Sequence, residues 1–336
     1  MMRLLLLFSF VLLPVLAKPF VDDTGRRVEI PDTPKSVIGL SPPVTYMIHL
    51  IAPDLLSGVN FNPKKGSNLG EERFLGERFL NLPIVGGSQG LINQEALLSA
   101  RPDLIISWRK DAVTDPIETL MSKNGVPVLY VDLYAFADYP AVFLKMGEAL
   151  GRNDRAKQLH NDAQRRMNEV AAVVALIPQN QRPVVYYAQG VDGLLSECTG
   201  SMHYEAIAFA GGINPHRCTI TRGKGMEPVN IEQVIAYNPQ IIVAQEPEFM
   251  KKVYTDPRWQ MIDAVKSKRV YYVPKRPFNW IDRPPSFMRL LGVRYLAGLF
   301  FPDRFQRPFE EEMVDFYQLY FGVKLDRAEI DRILRP

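Results

Sequence analysis

Six short segments of this chain are almost wholly apolar: residues 36–40 (SVIGL), Leu104–Ser107 (LIIS), 126–131 (VPVLYV), 183–188 (PVVYYA), Ile241–Ala244 (IIVA) and 270–273 (VYYV). A strand with one wet face alternates polar and apolar residues. A run without alternation fits a strand covered on both faces. Helical patterns at 45–51 and 116–123 lie among the first three runs, so the order reads strand, helix, strand. That order predicts an α/β fold with parallel sheets. The two halves also repeat. Asn93, Glu95, Leu98 and Pro102 lead into the run at 104, and Asn230, Glu232, Ile235 and Pro239 lead into the run at 241 at the same offset. Each copy reads as a polar N-cap, a short helix, a proline stop and a buried strand. Between the halves, Ala156, Leu159, Ala163, Met167, Val170 and Val174 recur three or four residues apart, the period of one long amphipathic helix over 153–177. The prediction is two Rossmann-like lobes, residues 18–152 and 178–336, joined by that helix. A helix across the hinge resists bending, so only modest closure on a ligand is expected.

The first residues bear on compartment. Arg3 precedes an apolar run from Leu4 to Leu13, and Val15 and Ala17 stand at the −3 and −1 positions of a small-residue cleavage site. Residues 1–17 therefore read as a secretory signal peptide, too short for a permanent span. The mature chain would begin at Lys18 in the periplasm, without a cysteine there to carry lipid. A net charge of +3 gives no case for nucleic acid, which wants a concentrated basic stripe. Cys198 and Cys218 fit either a disulfide in an oxidising compartment or two buried thiols. With His49, His160, His203 and His216 they make no zinc-ligand spacing.

Ligands of open parallel sheets bind beyond the carboxyl ends of the strands. The residues that follow the predicted strands are Tyr46, Gln89, Trp108 and Arg109, Tyr134, Gln189, Gln245, and Trp280 and Arg283 in a proline-rich loop. Aromatic rings with polar edges and arginine forks suit a planar or anionic ligand. His203, at a helix start, is a further candidate, whereas His49 lies among aliphatic residues and reads as packing. Asp282 reads as a cap for the helix that follows. No G-x-S-x-G elbow, H-E-x-x-H helix, P-loop or C-x-x-C is present, so the chain does not read as an enzyme.

Residues 20–31 (FVDDTGRRVEIP), 34–42 (PKSVIGLSP), 97–109 (LLSARPDLIISWR) and 208–214 (AFAGGIN) resemble, in order and spacing, the class III periplasmic solute-binding proteins of ABC importers. That family binds cobalamin, ferric siderophores, haem, molybdate or tungstate. The resemblance implies a monomer without a cofactor that captures a metal chelate (ferric siderophore, haem or cobalamin-like) for an inner-membrane ABC permease. A nickel chelate or a bare oxyanion such as molybdate is the alternative ligand, and a ligand-sensing periplasmic signalling partner is the alternative role. It also implies permease docking through one glutamate per lobe. Glu95 matches the first, and Glu205 lies about a turn from the position of the second.

Overall fold

The structure, a computed structural model, describes residues 17–63, 72–87, 91–108, 111–220 and 225–335. Most of the signal-peptide segment and the candidates Gln89 and Arg109 lie outside the described residues. The chain forms two parallel sheets. The first has the order Leu56–Gly58, Val37–Gly39, Leu104–Ser107, Val128–Tyr130, and the second Val270–Tyr272, Ile241–Ala244, Val185–Ala188. All pairings within both sheets are parallel. An antiparallel hairpin, Ala17–Val21 with Arg27–Pro31, precedes the first sheet.

The strands are apolar throughout because successive side chains enter different cores. Val185 and Tyr187 point into one cluster, Tyr186 and Ala188 into another. In the first sheet Leu104 and Ile106 face the same central cluster, and Ile105 faces a third. The central cluster is shared by both sheets, which explains why no strand could show a polar face.

The repeated capped helices are present. The Asn93 side chain accepts from the Ala96 N–H at 3.0 Å at the start of Gln94–Ser99. Asn230 accepts from the Gln233 N–H at 2.8 Å, and Gln233 returns the bond, at the start of Ile231–Tyr237. The long helix runs Asn153–Ala175, and all six of its predicted apolar positions are buried. Arg166 is buried with them, held by Asp162 at 2.7 Å, a charge the apolar period does not announce. Among the described residues no helix is long and apolar enough to cross a membrane.

The C-terminal residues do more than complete the second lobe. Helix Phe309–Phe321 returns against the first half of the chain: the Arg155 guanidinium donates to the Leu319 carbonyl at 2.7 Å, and Phe74 meets Tyr317 edge-on at 5.3 Å. Arg73 pairs with Glu329 of the last helix, Arg327–Leu334. Tyr46 stacks on Phe278 at 3.7 Å. The halves are thus tied by a common core as well as by the long helix.

Candidate functional site

The strand ends of the second sheet and the loop after it build a dense polar floor. Ala188 and Ala244 end two adjacent strands, so the next residues, Gln189 and Gln245, stand side by side, and their amides meet at 3.0 Å. The Tyr187 hydroxyl donates to Gln245 at 2.8 Å, and burial keeps that phenol far above its ordinary pKa and hence protonated. Glu197 follows the short strand Leu195–Ser196 and is fully buried. It receives Arg283 from the loop and the Ser201 hydroxyl at 2.8 Å. With its amide nitrogen facing Glu197, Gln189 donates to that carboxylate at 2.9 Å and accepts from Arg283 Nε at 3.0 Å.

Asp282, also fully buried, lies 3.3 Å from Arg283 Nε and 2.6 Å from His203 Nδ1. A carboxylate only accepts, so Nδ1 carries the proton and donates. In the neutral ring this leaves the lone pair on Nε2, which the partly exposed side chain can offer, an arrangement typical of metal-binding imidazoles. The expected cap role of Asp282 is therefore corrected: its side chain serves His203, and no side chain caps helix Arg289–Phe300. Arg283 sits at a φ of 50°, uncommon for a residue with a Cβ, and its two carboxylate partners hold it there.

The structure thus brings Gln189, His203, Gln245 and Arg283 together. Trp108 and the exposed Tyr134 lie at the ends of the first sheet, where they line a cavity of about 260 Å³ with Asp23 and Asp132. Two expected ligand walls are core residues instead. Tyr46 is 1% exposed beneath Phe278. Trp280 is 0% exposed, edge-on to Tyr295 and Phe309, with its indole N–H donating to the Arg276 carbonyl at 3.0 Å. The loop packs so closely because Gly292 faces it: a Cβ there would come within 2.1 Å of the Trp280 carbonyl oxygen.

Glu205 is engaged within the protein. Its carboxylate accepts from the Phe136 N–H at 2.9 and 3.0 Å and pairs at 3.1 Å with Arg289, itself fully buried. It joins the two halves, and 29% of its side chain stays exposed. Glu95 is exposed in the first turn of its helix, with no ion pair among the described residues.

Cys198 and Cys218 form a disulfide. A ring nitrogen of His216 lies within 4.8 Å of both sulfurs, but sulfurs bonded to each other offer no thiolate, so the trio is not a metal site in this state. His49 packs on Phe79 and touches a larger cavity, about 640 Å³, lined also by Arg73, Arg155 and Gly322. That cavity lies apart from the polar floor. Glu197 is the main residue the sequence did not indicate. A single glutamate beside a cysteine carries no spacing signal, and its importance arises only from contacts across 86 residues of chain.

The chain is similar to the molybdate-binding protein MolA of Haemophilus influenzae, 25% identical over 324 residues that cover 89% of this chain and 90% of that one. Among solved structures, an ABC transporter solute binding protein from Sulfurospirillum deleyianum is 38% identical with a TM-score of 0.88, covering 95% of this chain and 99% of its own. The nickel-bound CeuE of Helicobacter pylori shares the fold, with a TM-score of 0.69 at 17% identity and coverage of 94% and 99%. The model of the periplasmic binding protein family matches residues 59–277, from the first sheet across the long helix into the loop that carries the polar floor, and the chain belongs to that family.

Proposed function

We propose that this chain is the solute-binding component of an ABC importer and that its ligand is a metal chelate. Residues 1–17 direct export to the periplasm, and residues 18–152 and 178–336 act as lobes about the 153–177 helix. The observation that carries the ligand class is the His203–Asp282 pair at 2.6 Å. A buried carboxylate that fixes Nδ1–H turns Nε2 into a ready ligand for a metal with an open position. The surrounding charge supports this. Two carboxylates, Glu197 and Asp282, face the single Arg283 guanidinium, a floor that favours a positive centre. Trp108 and Tyr134, with Gln89 and Arg109, would contact the organic part of the chelate from the first lobe, and Glu95 would dock on the permease.

Molybdate is the second reading, favoured by the name of the Haemophilus relative. Native mass spectrometry with elemental analysis of protein taken from its own periplasm tests the choice. A metal bound with an organic ligand is expected. Calorimetry with the nickel–histidine complex should show binding that His203→Ala weakens by roughly tenfold or more. Molybdenum as the sole bound element, with His203→Ala silent, would refute the chelate reading.

A further inference from the structure

Glu197 occupies the centre of the polar floor and is engaged on both oxygens. Its Oε1 receives Arg283 and the Met226 N–H, the latter at 3.0 Å, and its Oε2 receives Ser201. Gly225, at a φ of 67°, lets the chain close over the carboxylate; a Cβ there would stand 2.1 Å from Oε2. On its other flank Arg283 meets Asp282. The guanidinium is therefore held between two fully buried carboxylates, and only a fifth of its side chain is exposed.

We propose that Glu197 is a charge selector. By engaging Arg283 it withholds the guanidinium from anions and leaves the floor net negative, so the site accepts ligands that bring a positive metal centre and rejects bare oxyanions. An arginine in a binding cleft ordinarily attracts oxyanions; here its charge is already compensated. The proposal rests on the reading that this floor faces the ligand. Glu197→Gln keeps the shape and an acceptor oxygen for Met226 but removes one of the two carboxylates that compensate Arg283, so more of its charge is open to an incoming anion.

The test is calorimetry of the full mature protein with two probes, molybdate and the nickel–histidine complex. Wild type should prefer the nickel complex. A unit charge at contact range in a partly screened site is worth roughly tenfold or more in affinity. Glu197→Gln should accordingly bind molybdate roughly tenfold tighter and the nickel complex roughly tenfold weaker. Thermal melts check folding. If Glu197→Gln does not fold, Gln245→Glu, which adds a carboxylate to the floor at a position to which the Tyr187 hydroxyl already donates, must move the ratio of the two affinities the opposite way. An unchanged ratio in folded Glu197→Gln, with His203→Ala still losing the nickel complex, overturns the selector and leaves the chelate reading intact. If neither variant alters either probe, the floor does not face the ligand and both fall.

Discussion

Replacing Trp280 by alanine distinguishes a core residue from a ligand wall. The indole is fully buried and makes edge-to-face contacts with Tyr295 at 5.6 Å and Phe309 at 5.9 Å. Truncation of a buried tryptophan costs about 3–5 kcal/mol in transfer and cavity terms, and the two aromatic pairs place this site in the upper half of that range. The lost indole N–H bond adds little, because the Arg276 carbonyl also accepts from the Tyr317 hydroxyl. The expected loss is therefore about 4 kcal/mol, a large share of the roughly 5–15 kcal/mol that holds a folded chain. Urea unfolding followed by far-ultraviolet circular dichroism measures it without relying on tryptophan emission. Trp280→Phe, which keeps one ring, should recover more than half of the loss. Ligand affinity, measured well below the melting range, should fall only as far as the loop carrying Asp282 and Arg283 is loosened. A loss under about 1 kcal/mol, together with a collapse in affinity, would refute the assignment and return Trp280 to the ligand wall.

Glu205→Ala should destabilise by about 1–3 kcal/mol, because it removes the acceptor of the Phe136 N–H and the ion partner of buried Arg289, which keeps its bonds to the Ile281 and Met202 carbonyls; chemical unfolding reads this, and normal stability would show the carboxylate to be dispensable. Glu95→Arg should leave ligand affinity unchanged and reduce delivery to the permease in reconstituted vesicles by about tenfold or more, as charge reversal at a docking contact does; normal uptake would make Glu95 an ordinary surface residue. His49 is held down to about 4 by burial, with nearby Arg78 adding to the effect. Between pH 6.5 and 4 the unfolded chain takes up a proton that the native ring refuses, so stability falls as pH falls through that window, by at most about 3 kcal/mol. The cavity beside the ring lets in solvent and lowers that ceiling. His49→Gln should flatten the slope, and an unchanged slope would assign the acid sensitivity to other groups.

Periodicity and composition determined much of this protein. Fully apolar runs located six strands of the two sheets, because a strand covered on both faces has no polar alternation to show. The three-and-four spacing located the long helix, and the matching Asn, Glu and Pro positions located two capped helices, because capping is chemistry between near neighbours. Strand ends also pointed to Gln189 and Gln245, since topology alone puts the ends of parallel strands on one edge. What depended on long-range packing was not legible. The aromatic character of Tyr46 and Trp280 fits a ligand wall and a core equally well, and only the return of the C-terminal helices over the first half placed both in the core. Glu205 has the composition of an exposed helix carboxylate, yet the approach of Phe136 and Arg289 makes it an internal tie. Glu197 and His203 lie far along the chain from Asp282 and Arg283, and no spacing links the two pairs. Their pairing is a tertiary fact, because the energy of a buried charge depends on which opposite charge the fold brings within reach of it.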